Sequence, residues 1–234
     1  MQWRDDGIVV AVRKHGEAGV VASLLTRAHG RHAGLVRGGA GRRLRGVLQP
    51  GNEVRADWRA RLAEHLGSYT VELTQARAAE LMESRDRLAG LAAASAMVEA
   101  TLPEREPHPA LFEGLIALLD ALGESEDWPA VYVRFELGLL QELGFGLDLS
   151  ACAMTGAVEG LAYVSPKSGR AVTAAAGAPW KEKLLALPAF LLEAPAGELS
   201  QADVYDGLML TGHFLERHVL ATAGRAMPAA RTRL

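Results

Sequence analysis

Basic residues gather in one glycine-rich stretch of the chain. Five arginines lie between His29 and Asn52, and this stretch contains no acidic residue. Guanidinium groups can donate paired hydrogen bonds to phosphate oxygens, and glycines let backbone N–H groups approach the same phosphates. The pattern therefore predicts binding of a phosphate backbone. The residues that would carry it are Arg31, Arg37, Arg42, Arg43 and Arg45.

The net charge of the whole chain conceals this concentration. It is −3 over 234 residues, yet residues 1–62 contain twelve Lys and Arg against five Asp and Glu, which gives +7. Taken one at a time, these cations could belong to an ordinary solvated surface. Together, on an acidic remainder, they favour a polyanionic partner for the N-terminal part alone. The same surface is predicted to include Arg13, Lys14, Arg59 and Arg61.

Few aromatic residues accompany these cations, namely Trp3, Trp58 and Tyr69. Trp58 falls on the apolar side of an alternating segment, so it is predicted to lie in the core. Proteins that bind single strands without sequence preference usually stack bases on several aromatic rings. The shortage therefore favours electrostatic binding of both single and double strands.

Patterns typical of catalysis are not recognisable in the sequence. It contains neither the G-x4-G-K-[ST] phosphate-binding loop nor the G-x-S-x-G nucleophile motif. The histidines are scattered and are predicted to face solvent or to cap turns. Cys152 is the single cysteine; it has no obvious activating partner and cannot by itself form a thiolate zinc site. We expect no enzyme activity, no metal and no cofactor.

The start of the chain does not have the pattern of a signal peptide, and the apolar runs are shorter than the ~18–20 residues of a membrane span. We expect a cytoplasmic protein without membrane contact.

Residues 1–77 contain five short segments rich in β-branched residues, which predict a small closed barrel. In the fourth segment Val54, Ala56 and Trp58 alternate with charged residues, as in a half-buried strand. The arginine-glycine stretch is predicted to be the long loop before that strand.

Helical spacing begins after the barrel, over residues 78–147. One continuous helix is predicted to cover 77–102, a second to run from Pro109 to about Leu122, and a third to start near Pro129. The third is apolar nearly all round and is therefore predicted to be buried. Arg134 lies one turn from Gly138 on it, so little side-chain bulk surrounds its guanidinium.

The C-terminal part has weaker patterns. Residues 148–180 are predicted to be loops with at most two short strands. A last helix is predicted over 201–221, with Ser200 as its N-cap, and residues 181–234 are predicted to pack with the helical domain. The fold class is α+β.

Several stretches resemble the bacterial DNA repair and recombination mediator family RecO. They are "GIVVAVRKHGE", "LLTRAHGRHAGLVRGG", "LQPGNEVRADWRARL", "RFELGLLQELGFGLDLSACAMTG", "LAYVSPKSGRAV" and "LMLTGHFLERHVL". The resemblance implies an N-terminal OB-fold, a helical domain and a small zinc-ribbon-like insertion at 148–180. It also implies binding of single- and double-stranded DNA, annealing of complementary strands, a place at the nucleoid, and no nucleotide hydrolysis. With RecR, and often RecF, such a protein would help to load RecA on DNA coated by single-stranded-DNA-binding protein.

The ribbon departs from the family pattern. Many relatives carry two C-x-x-C pairs, and the matching positions here are Cys152, Thr155, Thr173 and Ala176. With three thiolates missing, a structural zinc is not expected. Packing is predicted to hold the segment instead, through Tyr163, Val164, Val172 and Trp180.

The resemblance also implies that the acidic tail of single-stranded-DNA-binding protein docks on the helical domain. Arg134, beside Leu137 and Leu140, is the predicted anchor for its carboxylates. The alternative is that Arg134 belongs to a buried ion pair. For the protein as a whole, the alternative function is an OB-fold RNA-binding protein without a role in recombination.

Overall fold

The computed structural model describes residues 1–193 and 199–234, which form two compact units: residues 1–124 with 227–234, and residues 125–226. The strands are β1 (Gln2–His15), β2 (Gly19–Thr26), β3 (Gly30–Val36), β4 (Glu53–Arg59), β5 (Ser68–Gln75), β6 (Leu161–Val164), β7 (Ala171–Thr173) and β8 (Leu185–Ala186). The helices are α1 (Arg42–Val47), α2 (Arg77–Glu80), α3 (Arg85–Thr101), α4 (Pro109–Glu124), α5 (Trp128–Glu142), α6 (Ala174–Gly177), α7 (Gln201–Phe214) and α8 (Ala229–Thr232).

The first five strands close into a barrel in the order β1-β2-β3-β5-β4. Neighbouring strands are antiparallel except β3 and β5, whose short parallel pairing closes the barrel. A five-stranded Greek-key barrel is the architecture of the OB-fold, so the predicted α+β fold with an N-terminal OB domain is confirmed. Alternate residues fill its interior: Val9, Val20, Ala22, Leu24, Val36, Val54, Ala56, Trp58 and Tyr69.

Strand β1 is long enough to pair with two partners. Its first half, Gln2–Ile8, pairs with β4, and its second half, from Gly7 onward, pairs with β2. The pairing register with β2 shifts between Val9 and Ala11. Such a bulge bends a strand and increases its twist, which lets a single strand serve two sides of a closed barrel.

The segment that joins α3 to α4 lies along β3. Glu104 forms a parallel bridge with Arg31, and the backbone N–H of Arg105 donates to the Arg31 carbonyl at 2.8 Å. Gly30 makes this approach possible: it has φ +66°, and a Cβ there would lie 1.8 Å from the carbonyl oxygen of Glu106. The segment that joins α3 to α4 is therefore a fixed part of the barrel unit.

Two buried guanidinium groups strengthen the same attachment. Arg31 donates through Nε to the carbonyl of Leu102 at 2.9 Å. Arg77 lies between the carboxylates of Glu53 and Asp120, at 2.5 and 2.6 Å. Each thus connects a barrel strand to the helical part of the first unit.

The continuous helix predicted over 77–102 is wrong, because the chain breaks between α2 and α3. Leu81 is buried just after α2, and the hydroxyl of Ser84 accepts a hydrogen bond from the backbone N–H of Arg87. Serine at an N-cap competes with continuation of the preceding helix, which explains the break. Helices α4 and α5 match their predicted positions closely.

The second unit is built around α5 and α7. As its all-round apolar pattern predicts, α5 is largely buried, and Val133 packs with Ala130 and Phe190. Ser200 caps α7 as predicted, accepting from the backbone N–H of Asp203 at 3.1 Å. The helix continues to Leu220 as a π-helix, and a small sheet in the order β7-β6-β8 completes the unit.

The compact units do not follow the domain boundaries expected from the sequence. Within the expected helical domain 78–147, α2, α3 and α4 group with the barrel, whereas α5 groups with residues 148–226. The last helix, α8, returns to the first unit and packs against α3. Helical periodicity shows which face of a helix is apolar but not which element covers it. Among the described residues, no helix is both long and apolar enough to cross a membrane.

The close approach at Gly30 can be tested against a matched glycine. Gly16 has nearly the same φ, +65°, but a Cβ there would meet nothing within 4 Å. Gly16→Ala should cost only the backbone strain, ~1 kcal/mol. Gly30→Ala should cost ~3 kcal/mol or more, because the carbonyl of Glu106 must also move. Chemical denaturation of both variants measures the difference; equal losses would contradict a fixed position of the segment that joins α3 to α4.

Candidate nucleic-acid interface

Most of the cations predicted to bind DNA lie on the surface of the barrel. Eight of the nine are exposed, and seven of those eight are in no ion pair within the described residues: Lys14, Arg37, Arg42, Arg43, Arg45, Arg59 and Arg61. We call these seven residues the cationic surface. Exposed guanidinium and ammonium groups without a protein partner are free to contact phosphates.

Strand register brings the first members of the cationic surface together. Val20 on β2 pairs with Lys14 on one side and with Val36 on the other, and Arg37 follows Val36 directly. The backbone N–H of Ala40 donates to the carbonyl of Ala18 at 3.1 Å, which fastens the segment after β3 to the β1–β2 turn. Lys14 and Arg37 therefore lie at the same end of the barrel.

The next three members lie on α1, where the sequence predicts a loop. Leu44, Val47 and the buried Leu48 pack against the barrel core. Since one side of this short helix faces the core, its arginines are turned to solvent: Arg42, Arg43 and Arg45. The prediction of an extended arginine-glycine loop is corrected to a helix between two glycine-rich turns.

Pairing across β5 connects Arg59 to the same region. Ser68 pairs with Arg59 on β4 and with Leu35 on β3. Two strand spacings separate Arg59 from Leu35, a backbone distance of about 10 Å. Arg37 is two residues beyond Leu35, and Arg61 is two residues beyond Arg59. The cationic surface therefore continues from the end of β3 across β5 to the end of β4.

Other barrel arginines are neutralised by neighbouring acids. Arg4 donates two hydrogen bonds to Asp57, both at 2.9 Å, and Arg55 pairs with Asp6 at 3.0 Å. The Arg4 guanidinium holds the pKa of Asp57 below its ordinary value. Arg13, predicted to bind DNA, is exposed but pairs with Glu99 at 2.9 Å. The positive charge of Arg13 is therefore partly neutralised by Glu99.

Arg31 is the one predicted DNA-binding residue that the structure places in the interior. Its side chain is only 9% exposed, and besides the Leu102 carbonyl it contacts Glu99 at 3.3 Å and Glu104 at 3.4 Å. A guanidinium enclosed in this way cannot reach a phosphate. The Arg31–Glu104 bridge places the segment that joins α3 to α4 beside the start of β3, and the Arg31 side chain points toward that segment rather than to solvent.

The aromatic residues of the barrel form one cluster together with two histidines. The Trp3 ring stacks on His29 with centroids 4.1 Å apart, and lies 5.6 Å from Trp58. Trp58 is buried, in agreement with the prediction.

His32 is also buried, against the prediction, and its Nδ1 lies 3.0 Å from the hydroxyl of Tyr69. Burial lowers the pKa of His32 to about 4, so its ring is neutral at physiological pH. The alternation of His32 with Gly34 and Val36 on β3 was the signal for its inward position.

Comparison with known families agrees with this architecture. The family described as recombination protein O N terminal matches residues 1–77, and the one described as recombination protein O C terminal matches residues 82–224. The chain belongs to the RecO family. The DNA repair protein RecO of Rhodospirillum rubrum is 56% identical over 238 residues, which cover 100% of this chain and 94% of that protein. The protein of the same name from Methylobacterium nodulans is 54% identical over 235 residues, covering 99% and 95%.

Arg134, expected from the RecO resemblance to anchor a protein tail, is exposed on α5. Its Nη2 donates to the carbonyl of Phe190 at 2.6 Å, and its guanidinium lies 5.9 Å from the centre of the Phe190 ring. Leu140 is buried and Leu137 half-buried. The buried ion pair considered as the alternative does not describe this geometry, because the side chain bonds a carbonyl at the surface.

The ribbon-like segment brings together the positions that the resemblance predicts to match two C-x-x-C pairs. The backbone N–H of Thr173 donates to Sγ of Cys152 at 3.4 Å, and the Thr173 hydroxyl accepts from the backbone of Ala176. Hydrogen bonds from the Thr155 hydroxyl and the Thr173 N–H lower the pKa of Cys152 to about 6. Zinc in structural sites takes four thiolate or imidazole ligands, and these positions offer one thiolate, two hydroxyls and a methyl group. The residues do not fit a structural zinc.

Packing holds the segment through three of the four residues predicted to do so. Val164 and Val172 are buried, and Tyr163 lies over Gly177, where a Cβ would come within 2.6 Å of its ring. Trp180 differs: it is 53% exposed, with the ammonium group of Lys183 5.6 Å from its ring centre. Trp180 lies in a short 3-10 helix, Ala178–Lys183, that has no buried residue, so its ring has no apolar layer to enter.

We expect the purified protein, prepared without a metal-affinity tag, to contain well under one zinc per chain. A chelator should leave its melting temperature unchanged, since no folding energy comes from metal. As a positive control, the combined Thr155→Cys, Thr173→Cys and Ala176→Cys variant should bind about one zinc per chain. Elemental analysis measures the zinc content of both proteins. Stoichiometric tetrahedral zinc in the unmodified protein would contradict the expectation that these residues hold no structural zinc.

Proposed function

We propose that this protein acts in DNA repair and homologous recombination as a mediator that binds both single- and double-stranded DNA along the phosphate backbone. The observation that carries the proposal is the cationic surface, seven exposed cations without ion-pair partners among the described residues of a RecO-family OB-fold. We assign the protein a binding role without a catalytic step. Its place of action is the cytoplasm, at the nucleoid.

Contacts to phosphates explain why both forms of DNA are ligands. Cations that neutralise phosphates release condensed counterions, and this gain does not depend on sequence. The barrel offers little for reading bases on its outer face, since Trp58 and Tyr69 fill its interior. The cationic surface alone would also suit RNA, but the family relatives named DNA repair proteins favour DNA.

Annealing follows from the same electrostatics. Two complementary strands repel each other through their phosphates, and a protein that neutralises several phosphates on each strand lowers that repulsion. In cooperation with RecR, and with RecF where it is present, the protein would help RecA to load on DNA coated by single-stranded-DNA-binding protein. The support for these partners is membership of the RecO family.

DNA binding should depend strongly on salt and little on sequence. If about 4–6 phosphates are neutralised, log K for a single strand should fall against log[salt] with a slope of about −3 to −4. Replacing Arg42, Arg43 and Arg45 by Ala should flatten this slope by about 2 and weaken binding of every sequence alike. Fluorescence anisotropy of labelled oligonucleotides between 50 and 300 mM salt, about a sixfold range, measures the slope.

A second triple variant provides a control with the same loss of charge. Arg4, Arg27 and Arg55 are also exposed barrel arginines, but they pair with Asp57, Glu113 and Asp6. Replacing all three by Ala should change the slope much less, because these side chains are engaged within the protein. If both triple variants have the same effect, net charge and not the cationic surface governs binding. An unchanged slope in the first variant would place the DNA site elsewhere.

We further propose that Arg134 receives the acidic tail of single-stranded-DNA-binding protein. An acidic peptide that ends in apolar residues needs a cation at the edge of an apolar surface. Arg134 meets this requirement: its guanidinium is exposed, donates to the Phe190 carbonyl, and lies near the half-buried Leu137 and Leu191.

Arg134→Ala should weaken binding of a tail peptide at least tenfold, since a charge-assisted contact at a binding site contributes roughly 1.5–3 kcal/mol. Binding of bare DNA should stay within twofold. Arg217→Ala removes another exposed arginine of the same unit and is the control, for which peptide affinity should not change. Calorimetry with the peptide measures both. A variant that binds the peptide normally, or that loses its fold, would remove Arg134 from this role.

A further inference from the structure

The open end of the barrel holds a cavity that the cationic surface does not account for. It has a volume of about 360 Å³, and its lining includes Trp3, His29, His32, Trp58, Ala63 and Arg105. Aromatic rings form one part of the wall and a guanidinium another. All of these residues belong to the first compact unit.

Arg105 is the unusual member of this lining. It is the one residue other than glycine with positive φ, +66°, among those the structure describes. An arginine in this region costs roughly 1–2 kcal/mol, a strain that persists only where surrounding contacts hold the backbone. Here the contacts are the Arg31–Glu104 bridge and the hydrogen bond from the Arg105 backbone to the Arg31 carbonyl. The segment that joins α3 to α4 therefore presents Arg105 to the cavity.

The guanidinium of Arg105 is only partly satisfied by protein. Its Nη2 donates to the carbonyl of His65 at 2.9 Å, in the loop between β4 and β5. Its Nε is buried and has no hydrogen-bond partner within the described residues. A buried donor without a partner is costly, and each such group in a native structure requires an explanation. The remaining Nη donors also have no hydrogen-bond partner among the described residues, and a ligand that carries an acceptor into the cavity would supply one.

The aromatic wall is already assembled. The planes of Trp3 and His29 differ by 9°, and those of Trp3 and Trp58 by 19°. Asp5 fixes His29 from outside the stack: its carboxylate lies 3.0 Å from Nδ1 of His29 and accepts from the backbone N–H of Ala28 at 2.7 Å. Such a stack offers flat surfaces and edges to another planar ring.

The cavity also lies where a DNA strand would pass. Ala63 and His65 belong to the loop between β4 and β5, one of the loops through which OB-folds bind oligonucleotides. Arg59 and Arg61 of the cationic surface stand at the start of that loop. A nucleobase is planar, carries acceptor atoms on its edge and is small enough for a cavity of this volume.

We propose that this cavity receives one unpaired nucleobase of a DNA strand bound along the cationic surface, with Arg105 donating to the edge of the base. The inference rests on the proposed DNA-binding function and adds to it a contribution that is specific for single strands. Bases inside a duplex are stacked and paired, so they cannot enter without being extruded. The phosphate contacts would then hold both forms of DNA, while the cavity distinguishes unpaired from paired bases.

The test compares two single strands of equal charge. One is a 12-nucleotide thymidine oligonucleotide, of about the site size of an OB-fold, and the other is an abasic strand of the same length. The unmodified protein should bind the thymidine strand at least fivefold more tightly than the abasic one. In Arg105→Gln this ratio should fall below about twofold, and binding of a duplex should stay within twofold, because only the base contact is lost.

Arg85→Gln is the matched control, since Arg85 is an exposed arginine on α3 away from the cavity lining, and it should preserve the fivefold ratio. A ratio near one in the unmodified protein would overturn the inference while leaving the proposed DNA binding intact. Equal weakening of both strands by Arg105→Gln would also overturn it, since Arg105 would then contact a phosphate. Failure to bind any DNA would remove the proposed function as well.

A second readout needs no variant, in case Arg105→Gln does not fold. Trp3 and Trp58 line the cavity, so a base that enters it should quench tryptophan fluorescence, whereas the abasic strand at saturation should not. Equal quenching by the two strands would contradict entry of a base.

Discussion

A buried guanidinium holds the first compact unit together. Arg31 lies on β3 and reaches the last turn of α3 through Glu99, the end of that helix through the Leu102 carbonyl, and the following segment through Glu104. Breaking a buried pair of this kind by removing one partner costs ~3–5 kcal/mol, because the remaining charges are left without compensation. The fixed course of residues 102–106, the strained backbone of Arg105 and the shape of the open barrel end all depend on this attachment. A residue that looks like a ligand for phosphate is therefore a structural cation.

The distribution of partners among the arginines divides the barrel surface into two functional parts. On the β1–β4 side two exposed arginines face acids: Arg4 faces Asp57 and Arg55 faces Asp6. Surface pairs of this kind contribute little to stability, but they cancel the local positive potential. Around α1 and the ends of β3 and β4 the arginines have no such partners among the described residues. The net charge of +7 in residues 1–62 is thus concentrated on one part of the barrel, which is what a polyanion would encounter.

Much of this organisation could be predicted from the sequence, and the exceptions share a cause. The alternation in β4 predicted that Val54 and Trp58 lie in the core, and the apolar pattern all round α5 predicted that this helix is buried. Both predictions are confirmed. Periodicity reports the face of a residue within its own element, so it cannot show that residues distant in sequence will meet. Arg31 was misplaced because its partner segment begins some 70 residues later, and His32 because its partner, Tyr69, lies on another strand. The short helix α1 was not predicted because its six residues lie in a glycine-rich stretch with little helix propensity. A helix this short is stable only when it packs against the barrel.

The contacts that hold the ribbon-like segment determine how sensitive it is to zinc supply and to oxidants. A four-thiolate site couples the fold of its ribbon to the supply of zinc and to the redox state of its cysteines, since oxidised thiols release the metal. In this chain the same turns are held by threonine hydroxyls, backbone amides and the apolar contacts of Val164 and Val172. The Cys152 thiol accepts one of these hydrogen bonds but is buried, and the hydroxyls, amides and aliphatic side chains are not consumed by oxidants. Oxidants that attack DNA also attack sulfur ligands, and a segment held in this way has no metal to lose under those conditions.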